Sequence, residues 1–458
     1  MSDQSPTFLA AWDCCTARAG RPLPTAAYDA ARRSWFDTLA VTAAGITENS
    51  SRASARACTL LDGVALFPSG AALVLGTASH ALDYDDVCML ATCHPSAPIV
   101  SALMGCLPLL ARERPAMTWR DLLSAYLVGT ETMLRLGAWL GFRHYALGFH
   151  ATGTLGTVGS AAAVAHAMQL PRAQAHAALS IAASSAAGLR ANFGTDVKPL
   201  HVGMAAAAGV RAASFARAGI GASDDVWEAA GFALAFNGGS AVAALAWYPD
   251  TEWAIVQPGF ELKRYPSCYL SHRLIAGILA IRARQPQAAR GQPVDIDIEV
   301  AHNGLAALKY PQPRTGLQGK FSGPYCAAAA WLDGAVGLGT FSDDAVRRPL
   351  LHAGMRRVTL SERSAPSESL DTAPVQVTVR GAGWRDAITV DWAPGSLSDP
   401  MSRVQQIQKA QDCVAHGGAM SVEQILPLLD GPLDMPVSAL LPMREALLRR
   451  TSQFDSNN

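Results

Sequence analysis

Gly70–Ser96 reads GAALVLGTASHALDYDDVCMLATCHPS, and its two halves differ sharply in character. From Gly70 to His80 almost every residue is apolar or small, which predicts a helix buried on all sides rather than one with a solvent face. From His80 onward come three carboxylates (Asp83, Asp85, Asp86), two imidazoles (His80, His94) and two thiols (Cys88, Cys93), in a chain of which only 16% is charged. Pro95 and Pro98 restart the chain, and IVSALMGCLPLLARE predicts a second apolar helix. A polar loop held between two buried helices implies helices stacked on helices. Taken by spacing alone, the loop is open to three readings: a catalytic loop, a metal site, or a polar connection in which Asp85 and Asp86 cap the following segment.

Outward from this stretch the helical pattern continues. Pro24–Gly45 places Trp35, Leu39 and Thr42 on one face, and Thr118 with Asp121 forms a capping-box signature at the head of TWRDLLSAYLVGTETMLRLG. GFHATGTLGTVGSAAAVAHAMQL, from Gly148, predicts a Gly-rich loop leading into a small-residue helix; it matches neither GxGxxG nor a P-loop. Helices follow over about 171–188 and 200–219, where Ala205, Gly209 and Ala213 form a ridge that admits another helix backbone. The character changes after Lys263-Arg264-Tyr265-Pro266. A helix over Ser271–Arg284 precedes VDIDIEV, RRVTLSE, PVQVTVRG and AITVDW, which alternate at period two as half-buried strands do, with a helix over Tyr325–Gly334 among them. APGSLSDP (393–400) is a turn-rich boundary, after which helices resume. The expected fold is mainly α: a large all-helical domain from 1–265 with 399–458, plus a smaller α+β lid domain over 266–398.

Composition bounds the function. A chain of 458 residues exceeds what one core supports, which agrees with two domains, and its 50% hydrophobic content suits a large buried volume with further surface buried between subunits. Lysine plus arginine equals aspartate plus glutamate, 37 against 37, so no global field points to nucleic acid or an anionic membrane. Nine scattered cysteines without a CxxC pair, and MSDQSPTF without a basic and then apolar leader, predict a soluble protein of a reduced, cytoplasmic compartment.

For a metal, C-x4-C-H at Cys88, Cys93 and His94 lacks the second ligand pair a zinc site needs, so none is expected. No GxSxG elbow occurs, and no cysteine has an evident activating base. Proton transfer on a small anionic substrate is the more economical reading. HALDYDD and CHPS offer bases, GFHATG offers His150, DVKPLH offers Lys198 and His201, LKRYPSC offers Lys263 and Arg264, and GKFSGPY offers Lys320 and Tyr325. Cations of this kind bind carboxylates and stabilise the aci-carboxylate that develops when a proton is removed beside one.

HALDYDD…HPS, AYLVGTE…RLG, GFHATGTLG, GLRANFGTDVKPLHVGMAA, KRYPSCYLSH and GKFSGPYCAAAAWLDG, in this order, resemble the MmgE/PrpD family, whose members include 2-methylcitrate dehydratase, cis-aconitate decarboxylase and iminodisuccinate epimerase. The resemblance runs from the WFDTLA helix near Asp37 to the DPMS turn near 400. It implies a homodimer with its site in a cleft between an all-helical domain and an α+β lid, and no required metal or organic cofactor. Carried over by motif, the catalytic candidates are Asp83, His94, His150, Lys198, Lys263 and Tyr325, with Lys198, Lys263, His201 and Cys268 on the substrate. In these roles a histidine moves the proton, Asp83 orients a neighbouring histidine, the lysines hold carboxylates and Tyr325 completes a relay. Dehydration of a small hydroxy di- or tricarboxylic acid is the leading expectation, ahead of epimerisation of an amino- or imino-dicarboxylate and then decarboxylation; a non-catalytic helical binding protein is the reading from another class. The chain departs from the dehydratase and decarboxylase pattern at Cys268, where histidine is usual, and at Asp196 and Met204, which implies a different, less anionic or amino-bearing substrate.

Overall fold

In the computed structural model, residues 7–62, 67–228, 230–239, 245–248, 250–285, 292–364, 370 and 372–452 are described. The leader reading on MSDQSPTF therefore lies almost wholly outside the described residues. Among the described residues the fold is mainly α, with one small sheet in the second half of the chain.

The buried helix expected at Gly70 spans Pro68–Ala81, with Pro68 in its first turn, and the restart after Pro95 spans Ser96–Glu113. The Thr118 capping box closes as its sequence demands: Thr118 N–H donates to the Asp121 carboxylate at 2.8 Å, and the Trp119–Leu140 helix follows. Trp35 of the Thr25–Gly45 helix meets Trp119 edge-to-face at 5.0 Å, and both are fully buried in the larger apolar cluster.

Small residues set how closely the helices approach. The Pro68–Ala81 and Val197–Arg217 helices cross almost backbone to backbone: a Cβ on Gly203 would lie 2.3 Å from the Leu73 carbonyl oxygen, and one on Gly76 would lie 2.8 Å from Gly203 Cα. The Ala205–Gly209–Ala213 ridge performs the packing expected of it, a Cβ on Gly209 falling 2.4 Å from Ser160 Cβ. The Gly-rich loop predicted after Gly148 is a correction. Residues Ala151–Ala167 are helical from the start, and Gly156 and Gly159 serve close helix contacts rather than an anion cradle. Tertiary packing overrides glycine's low helix propensity here.

The sheet comprises β1 (Asp295–Val300), β2 (Val358–Glu362), β3 (Val375–Gly381) and β4 (Trp384–Val390), in spatial order β2-β1-β3-β4. β1 runs parallel to β2 and antiparallel to β3, with Ile298 opposite Leu360 on one side and Val377 on the other. Its inward residues Ile296, Ile298 and Val300 form a second cluster with Leu274, Ile278 and Ala327 from the His272–Arg284 and Gly323–Asp333 helices. The C-terminal helices leave this layer. Arg403–Gly417 packs on Thr25–Gly45, and Cys413, Ile425 and Leu447 join the larger cluster.

Candidate active site

The turn after the Pro68–Ala81 helix puts Asp83 in the left-handed region, φ 52°, a conformation that Asp and Asn tolerate better than most side chains. Three buried lysines from distant parts of the chain hold this turn by successive carbonyl oxygens. Lys320 Nζ donates to Leu82 O at 2.8 Å, Lys263 Nζ to Asp83 O at 2.9 Å and Lys409 Nζ to Tyr84 O at 2.8 Å. Lys409 also pairs with Asp37 at 2.8 Å, so the C-terminal helices contribute to locating the site. An antiparallel bridge between Val87 and Glu261 fixes the strand-like segment that delivers Lys263 two residues later.

On this turn the Asp83 carboxylate accepts from Lys198 Nζ at 2.6 Å and from Lys263 Nζ at 3.0 Å, all three side chains being 5% exposed or less. Burial alone would raise the Asp83 carboxyl, but Lys198 and Lys263, with the nearby histidines, hold it well below the usual carboxylate range. Each ammonium has three donors, so after these contacts both lysines retain hydrogens for a ligand.

Asp85 lies between two imidazoles. His80 Nδ1 sits 2.8 Å and His94 Nδ1 3.2 Å from Asp85 Oδ2. An ionised Asp85 accepting from His80 places that ring's proton on Nδ1. His94 Nδ1 lies at ion-pair distance from the same carboxylate without an aligned hydrogen bond, a placement that favours its proton on Nδ1 and leaves Nε2 as a lone pair, 3.7 Å from Asp83 Oδ1. Burial outweighs Asp85 and lowers the His94 pKa, while His80 is lowered to about 3 by burial, with Asp85 opposing. His150 occupies the N-cap position of the Ala151–Ala167 helix, its side chain making no capping bond, and is lowered well below the ordinary imidazole value by burial, then by His80 and Lys198. These rings are therefore neutral at pH 7, the form that holds a donor on one ring nitrogen and an acceptor on the other.

Asp83, His94, His150, Lys198, Lys263 and Cys268 line one cavity of about 80 Å³, walled by Phe142, Tyr145, Phe193 and Phe321. Burial pushes the Cys268 thiol up to about 11, so it lines the cavity as a neutral group. Larger grooves, of about 760, 740 and 600 Å³, lie elsewhere and gather no comparable set of imidazoles and ammoniums among the described residues.

Four placements differ from the sequence expectations. The Tyr325 hydroxyl donates to Thr340 O and does not line the cavity, because the Gly323–Asp333 helix turns it toward Phe341 in the second cluster; a relay through Tyr325 has no geometric basis here. His201 is not a lining residue either, its Nδ1 instead meeting His150 Nδ1 at 3.2 Å. Asp196 accepts from Asn49 at an exposed position, and Met204 is 48% exposed, so neither reaches the cavity to select a substrate. Asp85, which the sequence left open between a base of the loop and a cap of the following segment, is the carboxylate beside His94 Nδ1. Lys320 stood out in the sequence only as one more cation, and Lys409 carried no local signal.

Ligand atoms of His80, Asp83, Asp85 and His94 lie within 4.8 Å of one another, a spacing that by itself suits a metal ion. Asp83 is already neutralised by two ammoniums at 2.6 and 3.0 Å, and a dication in the cluster would sit against both. That charge balance suits an anion better than a cation. Among the described residues no helix is long and apolar enough to cross a membrane.

Comparison with known proteins matches residues 13–244 to the MmgE/PrpD N-terminal domain and residues 265–428 to the MmgE/PrpD C-terminal domain. Cis-aconitate decarboxylase of Homo sapiens is 31% identical over 336 residues, covering 70% of this chain and 68% of the relative. The Mus musculus cis-aconitate decarboxylase is 30% identical over 323 residues, covering 68% and 64%, and an Aspergillus terreus one is 26% identical over 325 residues, covering 66% and 65%. The matched segments thus span about two thirds of each relative's length.

Proposed function

The chain belongs to the MmgE/PrpD family, and from that premise we propose that it is a lyase that eliminates water from a small hydroxy di- or tricarboxylic acid. The observation that carries this reading is the pair of neutral, separately wired histidines facing one cavity beside two ammoniums: His94 backed by the Asp85 carboxylate, His150 backed by another imidazole. Elimination needs a base at the carbon and a proton donor at the departing hydroxyl, and two such groups meet that need.

In this mechanism Lys198 and Lys263 use their remaining donors to anchor the substrate carboxylate and to stabilise the aci-carboxylate as the adjacent C–H bond breaks. His94 Nε2 takes the proton, with Asp85 opposite to stabilise the imidazolium. His150 Nε2, which has no partner among the described residues, donates to the leaving oxygen. The apolar walls exclude water and strengthen each charge interaction.

Decarboxylation is the second reading, supported by the names of the relatives at about 30% identity. Incubating the protein in D2O with hydroxy-, imino- and unsaturated di- and tricarboxylates, followed by NMR, separates the two. Loss of water from a hydroxy acid supports the proposal. Release of CO2 from an unsaturated tricarboxylate replaces it with decarboxylation, and deuterium exchange without net loss replaces it with epimerisation.

A further inference from the structure

The ring of His150 is enclosed. His80 stacks on it at 5.6 Å and Phe193 meets it edge-on at 5.0 Å, while its Nδ1 has one hydrogen-bond partner among the described residues, His201 Nδ1 at 3.2 Å. Both residues are buried, His201 slightly less so: His150 is 2% exposed, His201 9%. His201 stands one helical turn beyond Lys198 in the Val197–Arg217 helix yet does not line the cavity. A ring that must gain or lose protons at Nε2 while sealed from water needs a route through Nδ1, and the geometry supplies one.

We propose that His201 is the proton-relay partner of His150, connecting its buried ring to solvent on the side away from the cavity. The relay rests on the elimination reading above. When His150 Nε2 gives its proton to the departing hydroxyl oxygen, His150 Nδ1 takes the proton shared with His201 Nδ1, and His201 Nε2 takes one from outside water. The C–H electron pair becomes the new π bond, the C–O pair leaves with the oxygen as water, and the carbon's proton is held on His94 until it returns to solvent. One proton enters the pair from solvent and one leaves in the water formed. The pair then resets when a water entering after product release gives a proton to His150 Nε2, the shared proton moves back to His201 Nδ1 and His201 Nε2 releases one to solvent, so protons and charge balance over the turnover. Burial, followed by Lys198, lowers the His201 pKa, which keeps its ring neutral and able to pass a proton in either direction.

His201→Gln in the full chain is the test, read with the substrate that the carboxylate panel identifies. The expected result is a kcat at least tenfold lower, KM within twofold of wild type, and recovery of kcat when free imidazole is added to the buffer. A merely structural role does not respond to added imidazole. Unchanged kcat, or a loss that imidazole leaves untouched in a variant whose melting curve matches wild type, overturns the relay. Should His201→Gln fail to fold, 15N-histidine NMR of the wild type takes its place, with a proton coupled to both Nδ1 atoms expected and its absence decisive against the proposal. If no panel member turns over while that shared proton is present, the elimination reading has failed and the relay falls with it, although the hydrogen bond stands.

Discussion

Asp83→Asn isolates the charge at the centre of the site. Asparagine has the same shape and tolerates the φ of 52° found here, so backbone strain does not confound the comparison as it would with alanine. The side chains of Asp83, Lys198 and Lys263 are 4%, 5% and 1% exposed, which puts their contacts among buried ion pairs rather than surface pairs worth about 0–1 kcal/mol. Removing the carboxylate leaves two ammoniums buried without a counter-ion, a change that costs about 3–5 kcal/mol. That corresponds to roughly two to three and a half orders of magnitude in the folding equilibrium. Guanidinium denaturation of both proteins at pH 7, with the slope compared as well as the midpoint, measures it. The sign in pH follows from the depressed Asp83 carboxyl: its stabilisation is complete above the unfolded-state value of about 3.9 and is lost as pH falls toward the lower folded value. The acid limb of the wild-type stability curve should therefore contain a component that Asp83→Asn lacks. A loss below about 1 kcal/mol at pH 7, with identical acid limbs, would refute the reasoning that this triad is a desolvated charge cluster.

Other expectations are narrower. Asp86 is raised to about 7 by burial, partly offset by Ser96, so the folded state favours its protonated form. Its contribution is present below about pH 4 and lost as pH rises through about 7, and Asp86→Asn should flatten that decline in melting temperature. Gly203→Ala places a Cβ 2.3 Å from the Leu73 carbonyl and should cost about 1–3 kcal/mol by denaturation while reducing activity, since the two helices involved carry Lys198 and lead into Asp83. His94→Gln should lower kcat by about 10²–10⁴-fold with circular dichroism unchanged. Tyr325→Phe should leave turnover within about twofold and remove about 1 kcal/mol of stability, the worth of its hydrogen bond to Thr340.

The helical half of the molecule is legible because its signals are local. A capping box at Thr118, proline in a first turn at Pro68, and runs of small apolar residues each act within one element. The strands after residue 294 are legible for the same reason, since β-branched alternation marks a sheet with one buried face. Gly148 onward misleads because glycine favours loops only when nothing packs on it, and here neighbouring helices need its missing side chain. Five catalytic candidates, Asp83, His94, His150, Lys198 and Lys263, converge on one cavity. The supporting residues are harder to read. Lys409 reaches Tyr84 across 325 positions and His201 faces His150 across 51, and neither distance leaves a trace in local spacing. Tyr325 belongs to a motif whose helix faces two ways, and sequence alone does not say which face meets the cavity.

The central claim is that Asp85-backed His94 removes a proton beside a carboxylate that Lys198 and Lys263 hold. Its most direct test is a proton-NMR time course in D2O of wild type and His94→Gln with the hydroxy di- and tricarboxylate panel. The account predicts that wild type converts at least one member to the unsaturated acid and water while the variant is slower by at least about a hundredfold. Equal rates in the two proteins, or no elimination from any hydroxy acid by wild type, would contradict it.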